Sequence, residues 1–185
     1  MSRVAKAAVG LMAATLVAKI LGFGRELALA SAYGASGVSD AFLVAMNIPA
    51  VIFTAIGTSL GTAFIPLYCE VNANKGEQSS NKFTNNVFNI VVIICIVISV
   101  IGAIFTPQIV KIFAVGFEGE TLRLAIYFTR VMILGLAFLG MSYIMMAYLQ
   151  VKENFIIPGL MPGPYNILII TSIIISVKIN PYLLP

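Results

Sequence analysis

Apolar residues run from Ala7 to Ala18 and resume at Leu27. Between them lies one charged stretch, Lys19-Ile20-Leu21-Gly22-Phe23-Gly24-Arg25-Glu26. Four more apolar runs follow. A membrane helix needs about 20 mainly apolar residues, so the pattern predicts helices over about 4–33, 40–69, 83–106, 124–150 and 155–178. The Gly/Ser-rich segment 34–39 reads as a turn, with Asp40 placed where a helix N-cap belongs. Pro49 offers a kink inside the second helix. The polar stretch from Glu70 to Lys82 reads as a connecting loop. Pro107 marks the end of the third helix, and Lys111 to Arg123 an amphipathic link. A tight turn, Val151-Lys152-Glu153-Asn154, precedes the fifth helix, whose start is broken by Pro158, Pro162 and Pro164 with Gly159 and Gly163. Such breaks are tolerated in a bilayer where neighbouring helices satisfy the freed backbone groups.

Composition fixes the class. The 185 residues are 60% hydrophobic and 10% charged, with a mean hydropathy of +1.03. Soluble domains carry about 25% charged residues. The expected fold is therefore all-α, a polytopic transmembrane bundle of about five helices. The net charge of +4 is spread over the loops and reads as topology rather than as a nucleic-acid footprint. With the N-terminus inside, Arg3, Lys6, Lys75, Lys82 and Lys152 lie on the cytoplasmic side, against Lys111, Arg123 and Lys178 outside. Arg3, Lys6 and the first apolar run imitate a signal peptide, but Lys19, Arg25 and Glu26 fall between that run and any cleavage site. The final residues, Asn180 to Pro185, add no polar tail, as expected of a truncated chain.

Candidate chemistry is sparse. There is no His, and Cys69 and Cys95 are the only cysteines. Neither a metal centre nor a cofactor site is expected, and no nucleophile motif or paired carboxylates point to an enzyme. The charges of the first helix stand out, because a cation at the centre of a membrane helix costs roughly 2.5–3.5 kcal/mol. Lys19 and Glu26, seven residues apart, share a helix face. Lys19 and Arg25, six apart, diverge by about 120° and about 9 Å along a straight axis. A break at Gly22 and Gly24 would turn both cations toward one anion. A straight helix leaves Glu26 in a structural pairing and Lys19 to snorkel. Arg130 reads as snorkelling or acid-paired, or else as a ligand contact. Asn47 and Asn166 read equally as interhelical bridges or substrate contacts, and Gly57, Gly61 and Ala63 as close-packing positions.

Several of these segments carry a resemblance. Lys19 to Glu26, Ser39-Asp40-Ala41-Phe42-Leu43-Val44-Ala45, Ile48-Pro49, Ala63-Phe64-Ile65-Pro66, Asn154-Phe155-Ile156-Ile157-Pro158, Pro162 and Asn166 together resemble the MurJ (MviN) lipid II flippases. That family belongs to the multidrug/oligosaccharidyl-lipid/polysaccharide exporter superfamily. The resemblance implies an incomplete N-terminal lobe of a two-lobe exporter, with the C-terminal lobe missing. It also implies alternating access in the bacterial cytoplasmic membrane, moving a lipid-linked pyrophosphate-sugar precursor of peptidoglycan through a cationic cavity. By position, Lys19 and Arg25 match cavity cations and Asp40 an important acid, with Glu26 and Arg130 as further candidates. Gly22, Gly24 and Pro49 are the hinge candidates. Membrane lipid is the expected surrounding, and no nucleic acid is implicated. One pattern departs: Phe53 and Thr54 stand where some relatives carry an arginine pair, and Gly57 lies close to a missing acid. The competing readings are another polysaccharide-lipid or drug exporter of the superfamily, and a non-transporting remnant.

Overall fold

The computed structural model describes residues 3–185, with the side chains of residues 3–8, 55 and 56 outside the description. Arg3 and Lys6, counted above for orientation, fall among those side chains. The order of elements is α1 (Arg3–Tyr33), α2 (Gly37–Phe113), α3 (Gly119–Leu134), α4 (Leu136–Val151), α5 (Ile156–Leu160), α6 (Pro162–Lys178) and a 3-10 turn (Pro181–Leu183). No strand occurs among the described residues.

Two helical stretches, Gly37–Phe113 and Ile156–Lys178, are long and apolar enough to cross a membrane; α3 and α4, bent by 44° at Gly135, form a third if taken as one span. The first of these, 77 residues, would be about 115 Å long if straight, far beyond a bilayer core of about 30 Å. It is folded at Gly76, where φ is 78° and ψ 174°, a backbone region open essentially to glycine alone. The rings of Phe64 and Phe83, nineteen residues apart, stack at 5.8 Å, so the two arms of α2 (37–75 and 77–113) lie side by side. Each arm is itself longer than the roughly 20 residues that a membrane helix needs.

The expected loop from Glu70 to Lys82 is thus helix on both sides of one glycine. Its polar residues find partners across the fold: Ser80 Oγ donates to Asn72 Oδ1 at 3.2 Å. Helix α2 also runs through Pro107 to Phe113, so proline does not end it and the link shortens to 114–118. The cap of α2 is Ser36, not Asp40. Ser36 has extended backbone and its side chain accepts from the Ser39 N–H, while Asp40 lies inside the first turn.

Helices α2, α3 and α4 form one group around Phe42, Ile48, Phe128 and Ile144. Phe42 meets Phe128 edge to face at 6.3 Å. In lipid such contacts act through close packing rather than escape from water, so small residues set the spacing. A Cβ at Gly140 would come within 2.6 Å of Cys95 Sγ, and one at Gly57 within 2.8 Å of the Tyr143 ring. Gly57 is the close-packing glycine expected in the second helix; Gly61 has nothing within 4 Å and Ala63 is exposed. Helix α1 belongs to a second group. It runs parallel to α5 and α6, with Gly10 against Ile156, Gly24 against Ile170, and the Tyr33 hydroxyl donating to Ser176 Oγ at 2.9 Å. The groups merge where Leu29, Ile173 and Leu184 join the start of α2 in the core. Elsewhere α1 touches α2 little.

Candidate functional site

Helix α1 carries its charges without breaking. Gly22 and Gly24 keep helical geometry, so the expected break is absent from this structure. Glycine permits a bend but does not impose one, and Asn166 Nδ2 lies 3.7 Å from where a Gly22 Cβ would stand. With the helix straight, Lys19 and Arg25 take different faces. Arg25 points to α6, where its Nη1 donates to Asn166 Oδ1 at 3.3 Å, while Nη2 pairs with the carboxylate of Glu26. Its side chain is 21% exposed. Lys19 is exposed, shares its face with Glu26, and has no ion-pair partner among the described residues.

The remaining candidates lie elsewhere. Asp40 is exposed in the first turn of α2, at the positive end of the helix dipole. Arg130, on α3, reaches the other arm of α2, its Nε donating to the Ala103 carbonyl at 3.2 Å. That carbonyl is special. Proline at 107 has no N–H for the residue four positions back, so the oxygen of Ala103 loses its helical donor. Arg130 supplies the replacement, while Thr106 Oγ1 lies 3.1 Å away and gives its shorter bond, 2.7 Å, to the Gly102 carbonyl. Arg130 therefore repairs a helix that Pro107 would otherwise weaken, and it is not grouped with Arg25. Pro49 lies inside α2 and lines a cleft of about 560 Å³ together with Phe53, Thr54, Tyr143 and Tyr165. No charged residue lines that cleft.

A second polar cluster, unexpected from the sequence, joins the tip of the α2 hairpin to the α4–α5 turn. Lys152 Nζ donates to Glu77 Oε1 at 2.6 Å and lies about 6 Å from the ring centres of Tyr68 and Tyr148. The hydrogen bond and charge of Lys152 hold the Glu77 carboxyl below its ordinary 4.5, and Glu77 in turn pushes the Lys152 ammonium above 10.5. In the sequence both residues read as loop charges. For Asn166, the position just after Pro162 and Pro164 is the sequence signal that it serves a special backbone.

The family profile described as lipid II flippase MurJ matches residues 29–181. The chain belongs to the MurJ family. It is a multi-pass membrane protein. It is 31% identical over 157 residues to a probable lipid II flippase MurJ of Buchnera aphidicola subsp. Baizongia pistaciae, covering 83% of this chain and 31% of that one. A probable MurJ of Aquifex aeolicus is 31% identical over 163 residues, covering 86% and 32%. The MurJ flippase of Burkholderia cenocepacia is 27% identical over 173 residues, covering 91% and 33%. The chain thus spans about a third of the length of these MurJ relatives. No solved structure matches it. The MurJ profile takes in Asp40, Pro49 and Arg130 and begins beyond Lys19 and Arg25.

Proposed function

We propose that this chain forms the N-terminal lobe of a flippase that moves a lipid-linked peptidoglycan precursor across the bacterial cytoplasmic membrane by alternating access. The observation that carries the reading is Arg25, a half-buried cation inside a MurJ-family bundle, held between Glu26 and Asn166. A pyrophosphate crossing a bilayer needs fixed cations in a cavity shielded from lipid. Arginine suits phosphate as a two-pronged donor, and lysine as a point charge. In this reading Glu26 is the counter-charge of the empty site, and the pyrophosphate displaces it from Arg25. Lys19 approaches the headgroup from the exposed face of α1, where a second lobe completes the cavity. Asp40 lies at the end of the bundle opposite the Gly76 tip, and the N-terminus faces the cytoplasm. Arg130 is left out of the site, because its Nε is engaged on Ala103. Gly22 and Gly24 are points at which α1 bends in another state of the cycle, with Pro49 as the corresponding soft point of α2. Transport of this kind breaks no covalent bond and calls for no enzyme chemistry.

The test is growth. Cells depleted of their own flippase receive this chain together with the C-terminal two-thirds of the Aquifex aeolicus relative as a separate chain. The unsubstituted pair is expected to restore growth, and Arg25→Ala, Lys19→Ala and the double change Gly22→Ala with Gly24→Ala to abolish it at normal expression. Normal growth of the Arg25 and Lys19 variants sinks the site. Normal growth of the glycine variant sinks the bend. No growth with the unsubstituted pair favours a non-transporting chain, and rescue of capsule or drug export instead favours another exporter.

A further inference from the structure

Asn166 is buried, 5% exposed, in a mostly apolar helix. Its two amide ends are used differently. Nδ2 donates to the Pro162 carbonyl at 2.9 Å and Oδ1 accepts from Arg25 Nη1 at 3.3 Å. Chemistry allows only this orientation. A carbonyl can only accept and a guanidinium can only donate, so an amide bridging the two must turn its NH2 to Pro162 and its oxygen to Arg25. Pro162 opens α6 directly after the short helix α5. The bridge therefore ties the direction of the Arg25 side chain to the backbone at the α5–α6 break.

We infer that Asn166 is a positioning residue for Arg25: it holds the guanidinium toward α6 and keeps it from closing wholly onto Glu26. This rests on the proposal that Arg25 meets a pyrophosphate, and deepens it by naming what sets the cation's aim. A carboxylate at 166 would flank Arg25 with a second anion and cancel its charge. An aliphatic residue would leave Glu26 as its only anchor. Only a neutral side chain with one donor and one acceptor satisfies both neighbours and leaves the cation with charge to offer. In that arrangement Arg25 still keeps donors free, since a guanidinium carries five N–H groups and two contacts occupy a minority of them.

The experiment is a double-mutant cycle on binding. The chain, paired with the C-terminal two-thirds of the Aquifex aeolicus relative, is placed in nanodiscs of uncharged lipid. Binding of a fluorescent polyprenyl pyrophosphate is measured against the matching uncharged polyprenol. Four proteins are compared: unsubstituted, Asn166→Leu, Arg25→Ala, and both changes together. Asn166→Thr runs alongside, since a threonine hydroxyl can still serve the carbonyl four residues back, as Thr54 and Thr171 do in this bundle, but is too short to reach Arg25. The expected result is about tenfold weaker binding for Asn166→Leu and Asn166→Thr, a size typical of side chains in direct contact, and no additional loss when Arg25 is already alanine. An equal loss in both Arg25 backgrounds would show that Asn166 only packs helices. Unchanged binding in Asn166→Thr overturns the inference as well. If the unsubstituted protein does not prefer the pyrophosphate over the polyprenol, the substrate reading falls first, and the positioning role falls with it.

Discussion

Arg130 shows how a charge in a membrane helix can be structural. Read alone it is an expensive cation in search of a ligand or an acid. In the fold it serves one backbone oxygen, that of Ala103, which proline at 107 has left without its usual donor. A carbonyl left unsatisfied away from water costs roughly 1–3 kcal/mol. Arg130→Leu is therefore expected to lower stability by about that amount, measured by unfolding in mixed micelles. The same change in a Pro107→Ala background is expected to cost much less, because alanine restores the backbone N–H. Equal costs in both backgrounds would show that Arg130 acts elsewhere. Asn166 makes the same point with the opposite outcome. Its type and spacing fitted bridge and ligand contact alike, and only the placement of α6 against α1 shows that it bridges to the cation itself.

At the scale of elements, the apolar runs were plain in the sequence and their ends were not. Hydropathy separates lipid from water but does not separate a polar loop from a polar helix that protrudes. The segment from Glu70 to Lys82 stays helical because partners across the hairpin and from the α4–α5 turn serve its side chains. Proline at 107 fails to stop the helix because the Arg130 side chain replaces its missing donor. Gly22 and Gly24 permit a break or a straight helix by sequence alone, and the packing of α1 on α6 goes with the straight one. The Glu77–Lys152 contact makes a further expectation at this scale. A carboxyl held below its ordinary value contributes its share of stability above that value and loses it as pH falls through the lowered one. An ammonium pushed up behaves in the opposite sense, losing its share only as pH rises above 10.5. The tie is therefore intact across the neutral range and lost in acid. Spin labels at Asn74 and Asn154 are expected to report a single short distance at neutral pH that broadens only below 4.5. A Glu77→Gln variant is expected to show the broad distribution already at neutral pH. A distance that changes between pH 6 and 8 would contradict this, since neither partner titrates there.

The whole molecule divides its ends cleanly. The Gly76 tip and the 151–154 turn are tied together at one end. The 34–36 turn and the 114–118 link lie at the other, as the alternation of helix direction requires. Cysteine accessibility checks this in a Cys69→Ser background. Reagents confined to one side of the membrane are expected to label Asn74→Cys and Asn154→Cys together, and Ala35→Cys and Gly116→Cys only from the opposite side. Mixed labelling of either pair would break the topology. This arrangement was half legible beforehand: the count of runs implied alternating ends, but nothing in the sequence showed that α1 leaves α2 and travels with α5 and α6. That pairing depends on small residues that face side chains distant in sequence, Gly10 against Ile156 and Gly159 against Leu11, and no local pattern encodes it.

The single-residue fold at Gly76 has a consequence for how the chain enters a membrane. Two arms joined by one glycine have no slack, so neither can slide along the bilayer normal without dragging the other. A shift of one helical turn, about 5.4 Å, would pull the charged residues flanking the tip into hydrocarbon or lift apolar residues of both arms into water. The tip therefore works as a depth gauge. It favours insertion of the hairpin as one piece, and it sets the level at which every helix packed against those arms comes to rest.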